Sequence, residues 1–169
     1  MRTAITSPAV QIRSALPADT EAILELIHAL ALYEKAPEEV KVTAEQIHSH
    51  FFCDSPKVFC DVVEVDGAVV GFAIWFLNYS TWLGVHGIYL EDLFVKPEFR
   101  GAGYGKSLLI HLAQKCVSNG YGRLQWWVLD WNLSAIEFYI AHGAQAMSEW
   151  TTFRVSGDAL KNLGALEQL

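Results

Sequence analysis

The feature that most restricts the fold is a run of glycines at a strand-to-helix junction. Gly101, Gly103 and Gly105 follow an apolar, strand-like segment from Gly87 to Lys96 that Pro97 closes. After them Leu108, Leu109, Leu112 and Cys116 recur at helical spacing until Asn119-Gly120 stops the helix. Glycines at such a junction let successive amide N–H groups converge on one point, and the helix that follows adds its positive end. Together they make a seat for phosphate oxygens. Three glycines alone are equally a flexible turn. The run is not a dinucleotide fingerprint, because it lacks G-x-G-x-x-G spacing and follows the fourth predicted strand instead of the first. It is not a Walker loop either, since Lys106 follows only a compact glycine run.

The rest of the chain sets this junction in a mixed architecture. Residues 1–9 read as an N-terminal leader and 10–169 as one domain. Val10 to Arg13 alternates as a half-buried strand does. Pro17-Ala18-Asp19 opens a helix with Ile23, Leu26, Ile27 and Leu30 on one stripe, ending near Glu34-Lys35. Thr43 to Gln46 has capping-box spacing, which predicts a short helix to about Phe52. Val58 to Val65 and Ala68 to Asn78 flank Asp66-Gly67, a hairpin signal. Arg123 to Leu129 is expected as a strand, Asn132 to Gly143 as a helix, and Ala144 to Val155 as one or two strands. The predicted order β-α-α-β-β-β-α-β-α-β implies an α/β (α+β) fold. Its mixed central sheet has six to seven strands, with about four helices on both faces.

Composition narrows the function. With 12 basic against 19 acidic residues the formal net charge is −7. That balance argues against nucleic acid, which needs a basic face, and suits a cationic substrate. No apolar run is long enough to span a bilayer. Residues 1–10 lack the apolar core of a secretory signal. Cys53, Cys60 and Cys116 are scattered and odd in number, as free thiols in a reducing compartment are, so the cytoplasm is the expected location. His48 and His50 diverge on their helix, no acid–His cluster exists, and no metal is expected.

The stretch Tyr89-Leu90-Glu91-Asp92-Leu93-Phe94-Val95-Lys96-Pro97-Glu98-Phe99-Arg100-Gly101-Ala102-Gly103-Tyr104-Gly105 resembles the acetyl-CoA-binding core of the GNAT superfamily of N-acetyltransferases. The family pattern R/Q-x-x-G-x-G/A is matched by Arg100, Gly103 and Gly105. The likeness extends through Leu30 to Glu34, Trp82-Leu83-Gly84 and Trp131 to Tyr139, from about Ile12 to Leu160. Within the superfamily it is greatest toward the spermidine/spermine (diamine) and thialysine acetyltransferases.

This resemblance implies a GNAT fold, acetyl-CoA as cosubstrate and a small cationic amine as acceptor. It also implies a homodimer. The backbone of Leu93, Phe94 and Val95 would bond the pantetheine arm. Arg100, Gly101, Ala102, Gly103, Tyr104, Gly105 and Lys106 would hold the pyrophosphate. Asn132, Ser134 and Ala135 would position coenzyme A, although Asn132 also reads as an ordinary helix cap. Tyr139 would be the general acid that protonates the departing thiolate. A tyrosine of ordinary pKa near ~10 keeps that proton at neutral pH. Glu91 would bind the ammonium or, through water, help remove its proton, and Tyr33 and Glu34 would contact the acceptor. Of the two adjacent acids in the strand, Asp92 is assigned a structural, salt-bridged role, because a buried carboxylate without a partner is costly. Cys116 sits on an apolar stripe without a histidine base, so direct transfer is expected in place of an acyl-enzyme.

One departure bears on the acceptor. Where polyamine acetyltransferases carry an acid before the tryptophan matching Trp82, this chain has Ser80. A long polycation relies on several spaced anions, so a shorter amine such as thialysine, a lysine analogue or a small diamine fits better. The rival readings are an acetyltransferase for an amino acid, an antibiotic or a protein N-terminus, and a non-catalytic acetyl-CoA sensor.

Overall fold

The computed structural model describes residues 8–166, so of the expected leader only Pro8 and Ala9 are described. The chain divides into two compact units, one running to Trp127 and the other starting at Val128.

The first unit is built on a five-stranded sheet in the order β1-β2-β3-β4-β5. The strands are β1 (Val10–Ser14), β2 (Phe59–Val65), β3 (Ala68–Ser80), β4 (Val85–Val95) and β5 (Leu124–Gln125). The first four are antiparallel neighbours, and β5 lies parallel to β4. The β2–β3 hairpin turns at Asp66 and Gly67 with φ of 51° and 81°. That backbone matches the right-handed twist of the strands it joins.

Helices cover both faces of this sheet. On one face, Ile23, Leu26 and Leu30 of α1 (Thr20–Tyr33) and Ile47 of α2 (Ala44–Phe51) are buried in one cluster with Cys60, Val62, Phe72, Ile74 and Phe94. The alternation of a strand sends Asp61 to the other side. There it meets His111 and Lys115 of α3 (Tyr104–Ser118). Thr43 and Gln46 close the expected capping box on α2, with Gln46 N–H donating to the Thr43 hydroxyl at 3.3 Å and Thr43 N–H to Gln46 Oε1 at 3.0 Å. Arg13 ties the start of the fold together, with Nη1 2.6 Å from Asp19 and Nη2 2.6 Å from Glu64.

The second unit holds α4 (Leu133–Ala141) and α5 (Gly157–Gly164). Among the described residues it contains no strand, so the sheet has five strands where six to seven are expected, and five α-helices stand where about four are. Met147, Trp150 and Phe153 give residues 144–155 a strand-like composition, yet all three are exposed and the segment joins no ladder. Composition supplies strand preference but not a pairing partner. The same limit trims the expected Arg123–Leu129 strand to the two residues that pair with Ile88 and Tyr89.

Candidate active site

Strand β4 carries the residues that matter, and its pairing gives them an open edge. β5 covers only Ile88 and Tyr89. From Leu90 to Val95 the edge of β4 facing away from β3 carries no strand among the described residues. Lys96 N–H donates to Val70 O on β3 at 2.9 Å. Backbone groups in an antiparallel strand alternate between edges, so those of Leu93 and Val95 face the open side and those of Phe94 face β3. Of the three residues expected to bond an extended arm, two therefore present N–H and C=O groups to the open edge. The Val95 carbonyl already accepts from Arg100 Nε at 2.9 Å.

The register also breaks inside β4. Ile74 lies opposite Asp92 and Trp75 opposite Leu90, which leaves Glu91 as the extra residue of a bulge. A bulge bends the strand and re-aims its side chains. Glu91 is exposed, whereas Asp92 is half-buried. Contrary to the salt-bridged role expected of it, Asp92 pairs with no cation among the described residues. Burial, Glu91 and then Glu34 push its carboxyl up to about 7. Its neighbours are acids, and a raised pKa relieves the cost that a counter-ion was expected to relieve. Glu34, just beyond the end of α1, is also shifted upward by partial desolvation. The structure thus places both Glu91 and Glu34 within electrostatic reach of Asp92. Asp92 is the member that sequence reasoning placed wrongly, although two acids inside an apolar strand already marked it.

The glycine loop has the backbone that an anion seat requires. Pro97–Phe99 form one 3-10 turn, and Gly101 and Gly103 both adopt φ of 85°. Gly103 is the N-cap of α3 and offers no side-chain cap, so the first amides of the helix have no partner from that residue. A Cβ on Gly101, Gly103 or Gly105 would meet nothing within 4 Å, so the loop is uncrowded on the side where these glycines would carry a side chain. Arg100, expected in the pyrophosphate segment, sends its side chain elsewhere: its guanidinium carbon lies 4.8 Å from the Tyr33 ring centroid and 5.2 Å from that of Phe94.

In the second unit, Asn132 caps α4. Its Oδ1 accepts from Ala135 N at 3.4 Å and from the Ser134 hydroxyl at 3.2 Å. Tyr139 is half-buried near the end of that helix, and desolvation pushes its phenol up to about 12. Its hydroxyl therefore holds its proton throughout the neutral range. Ser80 is buried, with its hydroxyl accepting from Leu83 N at 3.2 Å, so it shapes the β3–β4 turn. The Cys116 thiol is buried and pushed upward by that burial, which leaves it a poor nucleophile. Among the described residues no group of three or more metal-ligating side chains occurs, and no helix is long and apolar enough to cross a membrane.

Comparison with known proteins fits this arrangement. The model of the acetyltransferase (GNAT) family matches residues 22–144. The thialysine N-epsilon-acetyltransferase of Bos taurus is 39% identical over 165 residues, covering 91% of this chain and 96% of its own. An L-ornithine N5-acetyltransferase of Arabidopsis thaliana is 44% identical over 101 residues, 60% of this chain and 44% of its own. An integron cassette protein from the mobile metagenome of V. cholerae shares the fold at a TM-score of 0.77, over 93% of this chain and 98% of its own, with 24% identity. A family model that spans residues 22–144 and a relative 39% identical over nearly all of both chains agree: the chain belongs to the acetyltransferase (GNAT) family and is an N-acetyltransferase.

Proposed function

We propose that the chain moves the acetyl group of acetyl-CoA onto the terminal amine of a short cationic acceptor, either a basic amino acid such as thialysine, lysine or ornithine or a small diamine. The observation that carries this reading is the acidic group of Glu34, Glu91 and Asp92 on and beside a strand with an open edge. An ammonium group is drawn to these carboxylates, and it must lose a proton before its lone pair can attack a thioester. Glu91, exposed at the bulge, meets the ammonium, directly or through water. Asp92, with its carboxyl near 7, is matched to taking up that proton at neutral pH. Tyr33 and Glu34 contact the remainder of the acceptor.

In the same reading the open edge at Leu93 to Val95 bonds the pantetheine arm, and the amides of residues 100–106 hold the pyrophosphate. By family resemblance Asn132, Ser134 and Ala135 also serve coenzyme A, and Tyr139 protonates the departing thiolate. The acyl group passes directly from sulfur to nitrogen, with no metal. Two features favour a short acceptor. Ser80 leaves the β3–β4 turn without a carboxylate at that position, and two similar relatives are named for thialysine and ornithine. A homodimer in the cytoplasm completes the proposal, and sedimentation would test the dimer.

Thiol release from acetyl-CoA across thialysine, lysine, ornithine, putrescine, spermidine and an aminoglycoside tests the reading. The highest kcat/KM is expected with a short amine. A clear preference for spermidine would overturn the role given to Ser80. Silence with every amine, while acetyl-CoA still binds, would point to a sensor.

A further inference from the structure

The side chain of Arg100 stands at the junction of two substrate half-sites. Its Nε–H donates at 2.9 Å to the Val95 carbonyl, on the open edge of β4. Its guanidinium then covers the Tyr33 and Phe94 rings at 4.8 and 5.2 Å. Those rings are themselves in contact, with centroids 6.5 Å apart and planes tilted by 53°. Phe94 is anchored in the core at 4% exposure, whereas Tyr33 is the last residue of α1 and 36% exposed. One side chain therefore fastens the end of the acceptor helix to the cofactor strand.

Only arginine does both jobs at once. Its planar guanidinium donates within the plane while its faces stack on aromatic rings; a lysine ammonium is a point charge without that geometry. The loop can offer phosphates its backbone amides and the start of α3, which leaves this side chain available for another task.

We propose that Arg100 is a positioning residue for the acceptor: its side chain holds Tyr33, and with it the adjacent Glu34, in register with β4, while the backbone of its loop serves the phosphates. The proposal rests on the reading that Tyr33 and Glu34 contact the acceptor.

A double-mutant cycle tests it, with kcat and KM for the best amine measured at saturating acetyl-CoA and acetyl-CoA affinity measured separately by calorimetry. Losing a cation–π pair at a partly exposed site predicts that Arg100→Gln raises the acceptor KM about three- to tenfold. Tyr33→Leu, which removes the ring, produces a similar rise. The double variant is no worse than the weaker single variant, because the two residues act as one unit. Acetyl-CoA affinity stays near the parent value in Arg100→Gln. Arg100→Lys, which keeps the charge without the in-plane donor, recovers only part of the loss and carries the comparison if Arg100→Gln does not fold. Additive losses overturn the proposal. So does a collapse of acetyl-CoA affinity with the acceptor KM unchanged, since Arg100 would then be a phosphate ligand. Failure of the underlying acceptor reading shows separately, as a parent enzyme silent toward every amine.

Discussion

The indole N–H of Trp75 donates to Asp61 Oδ2 at 2.8 Å, inside the sheet face that α3 covers. Asp61 is 1% exposed and also accepts from the Ser14 hydroxyl at 3.0 Å. Lys115 Nζ lies 3.2 Å from its other oxygen and His111 Nε2 3.3 Å. One carboxylate thus joins β1, β2, β3 and α3. Truncating it would leave a partly buried ammonium and an indole donor without their acceptor. Asp61→Ala is therefore expected to cost about 3–5 kcal/mol in urea unfolding. Asp61→Asn keeps an acceptor for Trp75 and should cost less. A loss below about 1 kcal/mol for Asp61→Ala would mean that water replaces the network.

A second acid stabilises the fold in a pH-dependent way. The Arg13 guanidinium, hydrogen-bonded to Asp19, holds its carboxyl below the usual range, with help from the Leu16 amide. A depressed native pKa gives stability that is fully present above the unfolded value of about 3.9 and is lost as the pH falls through the native one. Asp19→Asn should be less stable than the parent at pH 7, and the gap should close on acidification below pH ~4. A gap that stays constant with pH would remove the ionic interpretation.

Asp92 has the opposite sign. With its carboxyl raised to about 7, the native chain keeps a proton that the unfolded chain releases above pH ~3.9. Asp92 thus lowers stability progressively between those two values, and Asp92→Asn should flatten that decline. If Asp92 takes up the amine proton, acceptor kcat/KM rises through a limb near pH 7 that Asp92→Asn abolishes. An unchanged limb would end the assignment of that proton to Asp92.

Tyr139, raised to about 12 by desolvation, is expected to add no alkaline limb within the usual assay range. As general acid, its loss in Tyr139→Phe should lower kcat by about a hundredfold or more. Acetyl-CoA affinity should be retained. Turnover undiminished in this variant would end its assignment as the acid.

What could be read ahead of the structure followed from local chemistry. The Thr43–Gln46 box, the Asp66-Gly67 turn, the α1 and α3 stripes and the glycine junction each depend on residues near one another in the chain. All of them form as expected. The misreadings involve distant partners. Whether residues 144–155 form strands depends on a ladder that no pattern specifies. The Asp92 assignment failed because its environment is set by burial first, then by Glu91 and by Glu34 from far away in sequence, and because the register shifts opposite Ile74 and Trp75. The stacking of the Arg100 side chain on Tyr33 joins the glycine loop to α1, a contact between residues far apart in the chain that no local pattern specifies.

Gly71 offers a way to disturb the open edge of β4 from the strand behind it. It sits in β3 opposite Val95. A Cβ there would lie 2.8 Å from the Phe94 carbonyl oxygen and 3.0 Å from Val95 Cγ2. Backbone cannot swing aside as the end of a side chain can, so Gly71→Ala must push β4 outward at the residues expected to bond the pantetheine arm. Overpacking of this kind costs about 1–3 kcal/mol of stability. The displacement should raise the acetyl-CoA KM more than the acceptor KM, since Glu91 and Asp92 lie before the point of contact. Gly103→Ala makes the contrast: its Cβ meets nothing within 4 Å, but a φ of 85° strains any residue with a side chain. It should weaken acetyl-CoA binding through the loop while leaving the sheet intact. Equal effects of Gly71→Ala on both substrates would mean that the strand moves as a rigid whole, and the assignment of the arm to this edge would fail.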